Sequence, residues 1–96
     1  MVTTPVLFSS EHVCVTRSIS FKFDECTAFR LWVTDCLNRH FSGDYGDIPA
    51  EEIQMNNEAV KDKDQIMSVY RNGSESIWII TDHGHEVTTV LFPSEY

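Results

Sequence analysis

The stretch Asp24–Gly43, DECTAFRLWVTDCLNRHFSG, decides the fold, because Phe29, Trp32, Val33, Cys36, Leu37 and His40 recur at the i, i+3, i+4, i+7, i+8, i+11 spacing of one helical face. Asp24 is a good N-cap, Glu25 suits the positive end of the helix dipole, and Arg39 with His40 suits the negative end. Gly43 is a natural C-terminal glycine, so the spacing predicts a helix over residues 25–41.

Beyond this helix lies a glycine- and aspartate-rich turn, Ser42-Gly43-Asp44-Tyr45-Gly46-Asp47, after which Pro49 begins a second, shorter helix reaching Val60. Ile53, Asn56 and Val60 share one of its faces. A buried amide without partners costs about 1–3 kcal/mol, so Asn56 is expected to pin the Gly43–Asp47 turn to this helix, with Gly43 and Gly46 shaping the turn. The last third predicts a meander. Gln65–Arg71 joins Ser76–Thr81 across Asn72-Gly73-Ser74-Glu75, and a second hairpin at Asp82–Glu86 leads into Val87–Phe92, which Pro93 ends. Ile77-Trp78-Ile79-Ile80 is apolar on both alternating faces, which marks a central strand with Trp78 as a packing residue. One cover is the helical layer, and the other is the N-terminal segment or a partner.

Toward the N-terminus, His12–Thr16 suggests a short strand from its β-branched content, and Ser18–Phe23 alternates like a strand or an extended approach to the helix. Residues 1–10, with Pro5, read as an irregular lead-in. The fold class expected is α+β in one domain over residues 1–96, with two helices packed on an antiparallel meander of three to four strands.

A hydrophobic content of 42% with 23% charged residues over 96 residues excludes collagen-like, disordered and membrane-spanning chains. No apolar run approaches the ~18 residues of a spanning helix. Residues 1–10 lack a basic n-region, so a cytoplasmic protein is expected. The formal net charge of −8 opposes direct binding to phosphate backbones. Cys14, Cys26 and Cys36 form no C-x-x-C pair and read as reduced thiols. Asp82-His83-Gly84-His85 has the one metal-like spacing, but it reads better as a polar hairpin turn, and neither a metal nor a cofactor is expected.

No nucleophile elbow, phosphate-cradling glycine loop, H-E-x-x-H or paired-carboxylate motif is present. The four histidines with Arg71, Tyr70 and Tyr96 could supply the acid and base of a small ribonuclease, with His83 or His85 acting beside Arg71. Each also has a plain structural reading, His83 and His85 as turn polars, Tyr70 as a cross-strand packing partner and His12 as a solvated strand end. The acidic distribution says more. Between Asp44 and Asp64 seven carboxylates stand against Lys61 and Lys63, a net −5 in this stretch. Carboxylates on a rigid helix can imitate a run of phosphates and occupy a basic groove. Asp44, Asp47, Glu51, Glu52 and Glu58 are then expected to face a partner, with Tyr45 as an aromatic anchor. Two plainer readings stand beside this one. Turn aspartates commonly bond their own backbone, and acidic surface serves solubility.

The segment Arg39–Asp47, the downstream Glu51, Glu52, Asn56 and Ala59, and the strands Ser68–Tyr70 and Ile77–Thr81 occur together with the ending Thr88–Tyr96. Together they resemble a family of small bacterial proteins carried on plasmids, phages and integrated elements, often labelled type I restriction endonuclease subunit M or plasmid-related proteins. The resemblance covers residues 37–96. A methyltransferase role does not follow, because that chemistry needs a cofactor-binding α/β domain this pattern lacks. The chain departs from the family at Asp82-His83-Gly84-His85, where other members tend to carry an acidic residue followed by arginine.

What the resemblance implies is a setting in which mobile elements encode small acidic inhibitors of host defence. The leading expectation is a non-enzymatic anti-CRISPR or anti-restriction protein that binds a basic surface of a Cas effector or restriction enzyme. The alternatives are a RelE- or barnase-like ribonuclease toxin and a structural homodimer that covers its open sheet face with a second copy.

Overall fold

The computed structural model describes residues 6–96. The fold is α+β, with three helices and a four-stranded mixed sheet among the described residues. In chain order the elements are β1 (His12–Val15), α1 (Arg17–Glu25), α2 (Thr27–Phe41), α3 (Ala50–Asp62), β2 (Ile66–Asn72), β3 (Glu75–Thr81) and β4 (Val87–Leu91). A tight turn at His83–His85, with Gly84 and His85 at positive φ, follows β3, and a short 3₁₀ turn at Pro93–Glu95 follows β4.

The long amphipathic helix forms with the predicted inner face, since Phe29, Val33, Cys36 and His40 are buried and Trp32 and Leu37 half-buried. Its start is corrected. Cys26 is extended at φ −142°, and its N–H closes α1 on the Lys22 carbonyl while its own carbonyl accepts from Arg30 N to open α2. Asp24 lies inside α1 and caps nothing. The alternation at Ser18–Phe23 is likewise helix rather than strand: Thr16 Oγ1 accepts from Ile19 N, and Ile19 with Phe23, four apart, turns the same side inward.

The sheet order is β1-β4-β3-β2, so the expected meander holds for β2, β3 and β4 only. β1 pairs parallel to β4, from His12 opposite Val87 to Val15 opposite Val90, which makes β3 and β4 the inner strands. The expected hairpin forms, but Asn72 pairs with Glu75 as the last strand residue, so the two-residue loop is Gly73-Ser74, with Gly73 at φ +63° supplying the turn in place of Asn-Gly. α3 runs along the β2 edge, and α1 and α2 lie on one face. Ile19, Phe29, Val33 and Cys36 pack there on Tyr70, Ile77, Ile79 and Val90, each fully buried branched or aromatic side chain worth about 1.5–3 kcal/mol of transfer. A second cluster joins Phe8, Tyr45, Ala59 and Ile66. Residues 6–10 also belong to the helical side, where Phe8 meets His40 and Phe41 edge-on. The opposite face carries half-buried Met67, Val69 and Trp78, with Tyr96 against Trp78 at 5.1 Å between rings. Of the irregular lead-in, residues 1–5 lie outside the described residues.

β2 is an edge strand, and two devices close its edge. Gly46 forms an isolated bridge to Val69, where Asp47 N–H donates to the Val69 carbonyl at 2.7 Å and Val69 N–H donates to Tyr45 O at 3.1 Å. Two residues earlier, Asn56 donates from Nδ2 to the Met67 carbonyl at 2.9 Å and accepts from Met67 N–H at 3.3 Å. Asn56 therefore pins α3 to the strand and not to the Gly43–Asp47 turn, because an amide side chain offers the donor–acceptor pair that an outward-facing strand residue lacks. Asn56→Ala is expected to lower the urea midpoint by the equivalent of about 1–3 kcal/mol with an unchanged m-value, read by circular dichroism.

Candidate functional site

The acidic residues divide into two groups. At the turn, Asp44 and Asp47 are exposed, but Asp44 accepts from Arg39 Nε at 2.8 Å and Arg39 Nη2 at 3.3 Å and also from Gly46 N–H. The Arg39 hydrogen bonds hold the Asp44 carboxyl below the usual carboxylate range. Arg39 in turn lies over the Tyr70 ring at 4.8 Å, and Tyr70 Oη donates to the Asp44 carbonyl at 2.7 Å. Asp44 is thus engaged in holding the turn together. Tyr45 corrects the expected anchor: it is 2% exposed and sits in the second core cluster, with Oη donating to Asn57 Oδ1 at 3.4 Å. The Asp44 carboxylate binds backbone and cation, whereas Asp47 engages the strand through its backbone N–H, and the turn's one aromatic ring fills the space beneath α3.

The second group stands on α3. At ~100° per residue, Glu51, Met55, Glu58 and Asp62 fall on one exposed stripe. Asn56 and Ala59 face the body of the protein. Among the described residues none of Glu51, Glu52, Glu58 and Asp62 pairs with a lysine or arginine. Where α3 runs beside β2, a groove of ≈ 570 Å³ gathers Glu52, Glu58, Asp62 and Asp64 around Met55, Met67 and Tyr96. Sequence reasoning named Glu52 and Glu58. Asp62 and Asp64 entered only through the net charge of the stretch, and Tyr96, expected among the ribonuclease candidates, is brought to this place by the closing 3₁₀ turn. Asp47 and Glu51 lie outside the groove lining.

The ribonuclease constellation is not assembled. His83 is exposed, with Nδ1 3.1 Å from Asp64 Oδ1. His85 is 7% exposed, with Nε2 2.8 Å from the Asp64 carbonyl and Phe8 against its ring. Both follow Thr81, which pairs with Ile66, whereas Arg71 pairs with Ser76 at the far end of the same ladder. Five strand residues at ~3.3 Å separate the two ends by about 17 Å. The turn reading of Asp82–His85 describes what is seen, one histidine turned to solvent and the other to the interior. Burial pushes the Cys36 thiol up to about 11, so it is protonated at neutral pH and a poor nucleophile. Among the described residues no three His, Cys, Asp or Glu side chains stand close enough to share a metal ion. None of the described helices is long and apolar enough to cross a membrane.

No family model matches this chain, and no curated protein or solved structure does so either.

Proposed function

We propose that this chain is a small, acidic, non-enzymatic interaction protein of a mobile element, acting in the cytoplasm as an inhibitor of a host nucleic-acid-handling defence complex. It lays the carboxylates of α3 on a basic surface of a Cas effector or a restriction enzyme, where a nucleic-acid strand would otherwise lie. The observation that carries this reading is the gathering of Glu52, Glu58, Asp62 and Asp64 along one groove, with no lysine or arginine paired to Glu52, Glu58 or Asp62 among the described residues. The mobile-element setting rests on the resemblance over residues 37–96.

Unpaired carboxylates on a helix offer a partner a field that needs no side-chain rearrangement, and such complementarity speeds encounter and steepens salt dependence. Binding to purified Cas effector complexes and to a type I restriction enzyme, measured by surface plasmon resonance at two salt concentrations, tests the reading. Glu52→Lys combined with Glu58→Lys is expected to weaken the complex by about tenfold or more, chiefly through a slower on-rate, and to flatten its salt dependence. Unchanged, salt-insensitive binding by the double variant overturns the proposal.

A further inference from the structure

The groove is more than a charged strip. Met55, 65% exposed, and Tyr96, 73% exposed, line the groove together with half-buried Met67, and Tyr96 packs against half-buried Trp78 on the same sheet face as Met67. The two thioethers and the Tyr96 ring thus form the apolar part of the groove, its floor, beside the acidic rim of Glu52, Glu58 and Asp62. Methionine has three rotatable bonds and a polarizable sulfur, and it adapts to aliphatic side chains of different shape. An apolar floor with an acidic rim matches one class of occupant. A second copy of this chain is disfavoured, because it would bring the same acidic rim and a further net −8 to the interface.

We propose that the groove between α3 and β2 takes a basic amphipathic segment of the partner, with an aliphatic side chain seated between Met55, Met67 and Tyr96 and lysines or arginines laid along Glu52, Glu58 and Asp62. This rests on the interaction reading above and names the chemistry its partner must present. The contact then has two separable parts, a salt-sensitive rim and a salt-insensitive floor.

Two fluorescein-labelled peptides of equal positive charge separate the parts: one of about 16 residues with leucines at helical spacing among lysines, the other with serine in place of leucine. Affinity is measured by anisotropy on the full chain at about 150 mM salt. The leucine peptide is expected to bind about tenfold tighter than the serine peptide. Met55→Gln and Tyr96→Ala, both at exposed positions, are expected to erase that difference and leave the serine peptide unaffected. Equal affinity of the two peptides, or indifference of the leucine peptide to both variants, overturns the groove assignment and leaves the charge reading standing. Failure of both peptides to bind removes the charge reading as well. Light scattering that shows a dimer which Tyr96→Ala dissolves would place a second copy in the groove and overturn the proposal.

Discussion

Gly46→Ala is expected to lower the melting temperature by about 15 °C or more, the largest effect expected of alanine at any of the four glycines. Gly46 has φ +75°, and a Cβ at that position would stand 2.0 Å from the Val69 carbonyl oxygen and 2.8 Å from Tyr70 Cδ1. The oxygen is backbone in the edge strand and cannot swing aside. It also accepts the Asp47 N–H, so relief of the clash must lift the loop from β2 and break that bond and the Val69-to-Tyr45 bond together. Tyr45, which the loop carries into the second core cluster, would be dragged outward with it. Left-handed strain of about 1 kcal/mol, two hydrogen bonds near 1 kcal/mol each and part of an aromatic burial sum to about 3–5 kcal/mol. That is a large share of the ~5–15 kcal/mol by which a domain is stable. Gly73→Ala is the control. Gly73 also has positive φ, at +63°, but a Cβ there meets nothing within 4 Å, so the strain alone remains. Thermal unfolding followed by circular dichroism compares the two, and equal losses would mean that the loop is not seated on the strand edge.

The same loop shows where the sequence was legible and where it was not. Its turn character follows from glycine and aspartate content, and the helix before it follows from a face six apolar or histidine positions long. Both are local, periodic signals. What the loop docks against is set by an edge more than twenty residues later, so Tyr45 read as an exposed anchor when it is a core residue, and Asn56 read as bound to the turn when it is bound to Met67. Ser18–Phe23 failed for a different reason. Over six residues an alternating pattern also places Ile19 and Phe23 four apart, and only the Thr16 cap and the inward packing of that pair decide for helix. β1 was legible as a strand but not in its parallel pairing with β4, which joins segments some 75 residues apart. The concentration of negative charge was readable by counting. Its division between Asp44, engaged by Arg39, and the unpaired carboxylates of α3 required the geometry.

Mild acid is expected to destabilise the protein through His40, by about 2–3 kcal/mol between pH 7.5 and 4.5. The ring is fully buried and bonded at both nitrogens, Nδ1 to Ser68 Oγ at 2.6 Å and Nε2 to Thr81 Oγ1 at 2.9 Å. The chain of hydroxyls continues from Thr81 to Thr88 at 2.7 Å and from Thr88 to Ser10 at 2.7 Å, so one imidazole ties α2 to three strands and the N-terminal segment. Burial, with a smaller push from His85, lowers the His40 pKa from 6.5 to about 3. In the unfolded chain the imidazole takes up a proton near its ordinary value, whereas in the folded chain it cannot. The unfolded state therefore binds more protons below pH 6.5, and stability is complete above that value and falls as the pH drops toward 3. Asp44, held low by Arg39, and Glu95, held low by the Phe92 N–H, add their own losses in stronger acid. The informative quantity is thus the difference between the wild type and His40→Gln, which keeps a donor and an acceptor and has no proton to gain. Urea unfolding at the two pH values is expected to show a wild-type loss about 2–3 kcal/mol greater than the variant's, even though the variant is less stable at neutrality. Parallel pH profiles would refute the assignment. So would an NMR titration in which the His40 ring of the folded wild type takes up its proton above pH 5, a measurement that needs no variant.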